Sequence, residues 1–167
     1  EGQLTAHGSS TVTDSLVTST KSPAFTVNNQ NAAVKLSGSL FLFTGTPSGS
    51  GVASAVKFGA ADTVKMEGCT VQGPREGIYF SGAVREAVID GCAIQGANKE
   101  GISFYGLEGG NTVTVTNSLV SSEEGNAVSA SWNMDKTAVI ALGEGNTVSG
   151  RISLPGNTDE DYRYQFQ

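Results

Sequence analysis

Along this chain apolar residues alternate with polar ones over short stretches, and the stretches recur at a nearly fixed interval. The string VKMEGCTVQG at 64–73 realigns 23 residues later with AVIDGCAIQG at 87–96. VTVTNSLVSS at 113–122, VKLSGSLF at 34–41 and STVTDSLV at 10–17 fit the same template. A second short motif follows each copy, FTV at 25–27, VKF at 56–58, GIYF at 77–80, GISF at 101–104 and AVSA at 127–130, and LTA at 4–6 fits the same place ahead of the first. Alternation with a period of two predicts β-strands rather than helices. Gly, Asn, Ser and Pro fill the intervals, as at Gly73-Pro74 and Gly109-Gly110-Asn111, and predict turns.

A unit of roughly 22–26 residues is too short to close a core of its own. It buries its apolar stripe only by stacking on its neighbours, so the pattern predicts an all-β solenoid of about six to seven coils. At about 4.8 Å per coil this is a rod roughly 30 Å long. The register places Met66, Cys69 and Val71 inward, over Ile89, Cys92 and Ile94, and those over Val115, Ser118 and Val120. Ile78, Phe80, Ile102 and Phe104 form the facing stack, while Lys65, Glu67, Val88, Asp90, Thr114 and Thr116 point outward. Nine leucines with no L-x-x-L-x-L frame exclude a leucine-rich repeat. Strings at 138–142 and 145–152 read as further coil strands without a definite register.

The wording V-x-I-x-x-C-x-I, polar turn, G-I-x-F resembles the right-handed parallel β-helix repeats of the pectin-lyase-like superfamily, most closely over 56–130. LGEGNTVSGRIS at 142–153 and the Ser/Thr-rich start are similar, more loosely, to passenger domains of bacterial autotransporters. These resemblances imply a single right-handed β-helix domain over 1–167, extracellular or displayed at a cell surface. The chain starts at Glu1, with no charged-then-apolar leader ahead of it, so it reads as a mature product or a segment of a longer chain.

Composition narrows the partners. The net charge is −6, and the ten basic residues are scattered, which argues against a nucleic-acid backbone. No run of about 18 apolar residues is present, so membrane insertion by this segment is not expected. Hydrophobic content of 38% is too high for a disordered chain.

Cys69 and Cys92 fall on one rung of adjacent coils. Parallel neighbours aim their Cβ atoms the same way, which favours two buried thiols over a strained bridge. His7 is distant in sequence, and no zinc pattern exists. Glu76, Glu100 and Glu124 each precede a glycine at intervals of 24, so stacking would make them an acidic column, a candidate Ca²⁺ site or a solvated turn. Glu67 and Asp90 share an outward rung. The superfamily resemblance implies that outward carboxylates, with Ca²⁺ or an arginine base, carry lyase or hydrolase chemistry, which makes these two the catalytic candidates. Yet no Asp-Asp doublet, N-x-D element or adjacent arginine accompanies them. Tyr79, Tyr105 and Trp132 flank the second strand motif and are candidate platforms for sugar rings.

The expected function is a non-enzymatic structural or adhesive rod, binding a polysaccharide or host-surface ligand, with a carbohydrate-active enzyme as the alternative. The first coil has no lid and is expected to stack end to end on another coil. The alternating string at 162–167 is the candidate cover at the other end.

Overall fold

The computed structural model describes residues 2–21, 23–47, 53–131, 134–135, 137–154 and 164–166. Among the described residues sixteen strands run in chain order: β1 Leu4–Ala6, β2 Ser10–Thr13, β3 Leu16–Ser19, β4 Phe25–Ser37, β5 Leu40–Phe43, β6 Val56–Glu67, β7 Thr70–Gly73 and β8 Ile78–Phe80. They continue with β9 Val84–Asp90, β10 Ala93–Gly96, β11 Ile102–Phe104, β12 Thr112–Thr116, β13 Leu119–Ala130, β14 Val139–Leu142, β15 Thr147–Ser153 and β16 Tyr164–Phe166.

All pairings are parallel, and they sort the strands into three walls. Wall one stacks β2, the end of β4, the end of β6, β9, β12, β14 and β16. Wall two stacks β3, β5, β7, β10 and the beginnings of β13 and β15. Wall three stacks β1, the beginnings of β4 and β6, β8, β11 and the ends of β13 and β15. About five turns separate β2 from β14, and β16 adds a further wall-one strand. The fold is an all-β parallel solenoid, as the sequence predicts.

The register also follows the sequence. Met66 pairs with Ile89 and Ile89 with Val115, and all three are fully buried. Phe58, Phe80 and Phe104 stack on successive coils with ring centroids 5.1 Å apart at each step. Phe25 meets Phe58 at 6.4 Å edge to face, which extends the ladder toward the N-terminal end.

One sequence-level element divides in two. The template at 64–73 reads as one strand, but the chain turns at Gly68 and separates β6 from β7. The same corner holds Asp14, Gly38, Gly68, Gly91 and Asn117, with φ between 45° and 61°. Left-handed backbone is costly for most side chains and open to Gly, Asn and Asp, which explains the residue types at these positions. Beyond each of these residues the inward phase resumes one position late, so Met66 and Cys69 both face the core.

A polar ladder ties these corners together. Ser15 N–H donates to Ser39 Oγ at 3.2 Å, Cys92 N–H to Ser118 Oγ at 3.1 Å, and Ser118 N–H to Asn146 Oδ1 at 2.9 Å. Each of these donors is thereby satisfied by the next coil. Cys69 and Cys92 are buried free thiols on this ladder, donating to the carbonyls of Glu67 and Asp90. Contact with Cys69, and burial after it, push the Cys92 thiol well up.

The register left open beyond residue 135 is supplied by the pairings. β14 lies on β12, and β15 follows β13 with shifts between Ser121 and Val128. Of the proposed terminal cover, Tyr164–Phe166 forms β16 on β14; Tyr162, Arg163 and Gln167 lie outside the described residues.

Candidate functional site

The outer surface of wall one is flat because each strand places its odd-numbered or even-numbered set outward in step with the next. Lys65, Val88, Thr114 and Ala141 form one outward row, and Glu67, Asp90 and Thr116 another. The two candidate carboxylates are therefore direct neighbours. Glu67 Oε1 lies 2.7 Å from Lys65 Nζ, and Glu67 Oε2 lies 3.8 Å from Lys35 Nζ. Asp90 Oδ1 accepts from Thr116 Oγ1 and from Asn117 Nδ2, both at 2.8 Å.

The electrostatics follow from these donors. The hydrogen bond from Lys65 holds Glu67 below the usual carboxylate range. Those from Asn117 and Thr116 do the same for Asp90. A carboxylate pair that breaks glycosidic bonds needs one member raised so that it can deliver a proton. Here both members are held ionised.

Beside Asp90, across Thr116 and Asn117, opens a recess of about 530 Å³ lined by Thr114, Thr116, Asn117, Ala141, Leu142, Gly143 and Glu144. Gly143 keeps it open: a Cβ there would sit 2.8 Å from Thr116 Cγ2. The lining offers hydroxyls, an amide and a carboxylate over a short apolar floor. The sequence reading assigned Thr114 and Thr116 to the outer face but not the recess. Its signal is the segment 143–146, one residue longer than 116–118, its counterpart between the paired residues Val115/Leu142 and Leu119/Thr147.

The acidic trio separates. Glu76 and Glu100 occupy successive rungs at the corner before wall three, since Ile78 pairs with Ile102. Ile102 pairs with Val128, which puts Asn126 rather than Glu124 against Glu100. The cause lies between the paired residues Phe80/Phe104 and Glu86/Thr112: the segment 105–111 is two residues longer than 81–85, so the 24-residue interval does not carry forward. Glu124 is exposed, and its N–H donates to Ala97 O. Glu76 is 3% exposed; its Oε2 accepts from Ala53 N–H at 2.9 Å, and Lys99 Nζ lies 3.9 Å from its Oε1. Burial, and then the charge of Glu76, raise Glu100 above the usual range, while Lys99 and Ser129 partly offset this. Among the described residues no three His, Cys, Asp or Glu side chains converge as a metal site.

Of the aromatic candidates, Tyr79 and Tyr105 come together with centroids 6.1 Å apart. Tyr79 is 8% exposed and so presents little face to a ligand, whereas Tyr105 is half exposed. Burial, then Tyr105, Glu76 and Glu100, push the Tyr79 hydroxyl up. Trp132 lies outside the described residues. A feature the sequence reading missed is the Arg85–Asp62 pair, with Nε donating to Oδ1 at 2.6 Å and Nη2 to Oδ2 at 3.4 Å.

Comparison with known families gives one match: the model of a right-handed β-helix region covers residues 3–141. No curated protein and no solved structure matches the chain.

Proposed function

The chain belongs to the right-handed β-helix family, and on that premise we propose that it is a non-enzymatic rod, displayed outside the cell, whose wall-one face holds a glycan. The observation that carries this reading is the pairing of a hydroxyl- and amide-lined recess with two neighbouring carboxylates, Glu67 and Asp90, that are committed to an ion pair and to hydrogen bonds. Such a surface offers donors and acceptors to sugar hydroxyls, and the Glu67 and Asp90 carboxyls beside it are lowered rather than raised. Wall three adds Tyr105 as an exposed aromatic surface.

The alternative, a carbohydrate-active enzyme on the same face, is supported by the stacking of Glu67 on Asp90 with Lys65 beside them. Incubating the protein with neutral and uronate-containing polysaccharides, with and without Ca²⁺, separates the two. Retention on an immobilised polysaccharide, lost in Thr114→Arg, together with no new reducing ends or unsaturated products, is the expected result. Product release that Asp90→Asn abolishes would replace the rod with the enzyme.

End-to-end association belongs to the same reading. β1, β2 and β3 each pair on one side only among the described strands, and Leu4 and Leu16 are 40% and 66% exposed. Unpaired strand edges template further pairing. Sedimentation is expected to show concentration-dependent growth; a strict monomer at high concentration would remove this part of the proposal.

A further inference from the structure

We propose that a recess at the β-bulge between β4 and β6, on the outer face of wall three, binds a tetrahedral oxyanion, a sulfate or phosphate group. Thr26 pairs with Lys57 and Val27 with Phe58, but the next pair is Asn28 with Ala60. Gly59 is therefore an extra residue, the local feature that re-aims side chains where sheets carry binding sites. A Cβ at 59 would lie 2.8 Å from Asn28 Oδ1, so glycine leaves the Asn28 amide its place. The resulting recess of about 300 Å³ is lined by Thr26, Asn28, Lys57, Gly59 and Ser81.

Its charge is one-sided. Two hydroxyls, an amide and an ammonium supply donors, and an ammonium has no acceptor to offer in return. No lining residue is acidic, although the chain carries a net charge of −6. Lys35, Lys65, Arg85 and Lys99 each lie within 4.0 Å of a carboxylate, whereas Lys57 has no such partner among the described residues. An ammonium beside neutral hydroxyl and amide groups, with no carboxylate in the lining, is matched by a compact anion. The site is independent of the glycan reading for wall one and shares no residue with it.

The test is isothermal titration of the full chain with sodium sulfate, with sodium phosphate and with a sulfated polysaccharide, ionic strength being held constant with NaCl. Saturable binding of at least one inorganic anion is expected, weakened about tenfold or more in Lys57→Gln and kept in Lys57→Arg. Lys65→Gln, on wall one, should leave it unchanged. Tighter, Lys57-dependent binding of the polysaccharide would assign the anion to a sulfate ester, and equal or weaker binding to the free ion; both uphold the site. Gly59→Ala should weaken binding while the unfolding curve in NaCl shows the fold intact. No saturation with either inorganic anion, or equal loss in Lys57→Gln and Lys65→Gln, would overturn the proposal.

Discussion

Glu67 with Asp90 and Glu76 with Glu100 are two pairs of carboxylates stacked one rung apart, and their surroundings differ in kind. The first pair lies on a flat strand face, in water, with a lysine, a hydroxyl and an amide directed at its oxygens. The second sits at a corner where the chain folds over it: Glu76 is buried against Ala53 N–H, and Glu100 is desolvated beside it. Under the same stacking, Glu67 and Asp90 are lowered whereas Glu100 is raised. Position around the coil, wall or corner, sets the chemistry of a side chain more than its interval in the sequence does.

The broadest way to break this comparison is to move a carboxylate off both positions and into the core. Ile89→Asp would bury an unpaired charge between Met66 and Val115 and is expected to cost about 4 kcal/mol or more, enough to unfold a domain of ordinary stability. Val88→Asp, one residue away on the outer face, should stay folded by circular dichroism. Equal outcomes would reject the register.

Within the corner, Glu76→Ala leaves Ala53 N–H without its carboxylate partner and is expected to cost about 1–3 kcal/mol in urea unfolding. Glu76→Gln keeps an acceptor there and should cost less. Glu100→Gln should raise Tm by about one or two degrees, since it removes a desolvated like charge that solvent partly screens.

The pH dependence sharpens the contrast further. A carboxyl raised by folding, as in Glu100, weakens the fold above its folded pKa and returns that stability as pH falls through it. Carboxyls lowered by folding, as in Glu67 and Asp90, contribute stability above the unfolded range of about 4, lost as pH falls through their folded values. Glu100→Gln should therefore remove a gain that lies on the acid side of neutrality. Asp90→Asn should remove a loss at lower pH, visible in Tm measured across the acid range. The smallest effect is that of Lys65→Gln, an exposed pair on the wall, whose urea unfolding curve should overlay that of the unaltered protein.

Much of this architecture is legible in the sequence because a parallel solenoid writes its register as repetition. Met66, Ile89 and Val115 could be stacked by counting, as could Ile78 and Ile102, since a strand period and a coil period determine both face and neighbour. What counting misses lies at the corners. The two-residue excess at 105–111 moved Glu124 off the acidic column, and composition alone does not show which loop absorbs an insertion. The burial of Tyr79 was equally hidden, because an outward strand position says nothing about what packs over it. The bulge at Gly59 and the recess beside Gly143 depend on missing side chains rather than on repeated ones. A reading built on period has no purchase there.

The most direct test of the claim that position around the coil governs these carboxylates is a site-resolved ¹³C NMR titration of the side-chain carboxyls in the folded protein. The account predicts that Glu100 titrates above the ordinary glutamate range, while Glu67 and Asp90 titrate below theirs in the same sample. Glu100 titrating at or below Glu67, or all three at unperturbed values, would contradict it.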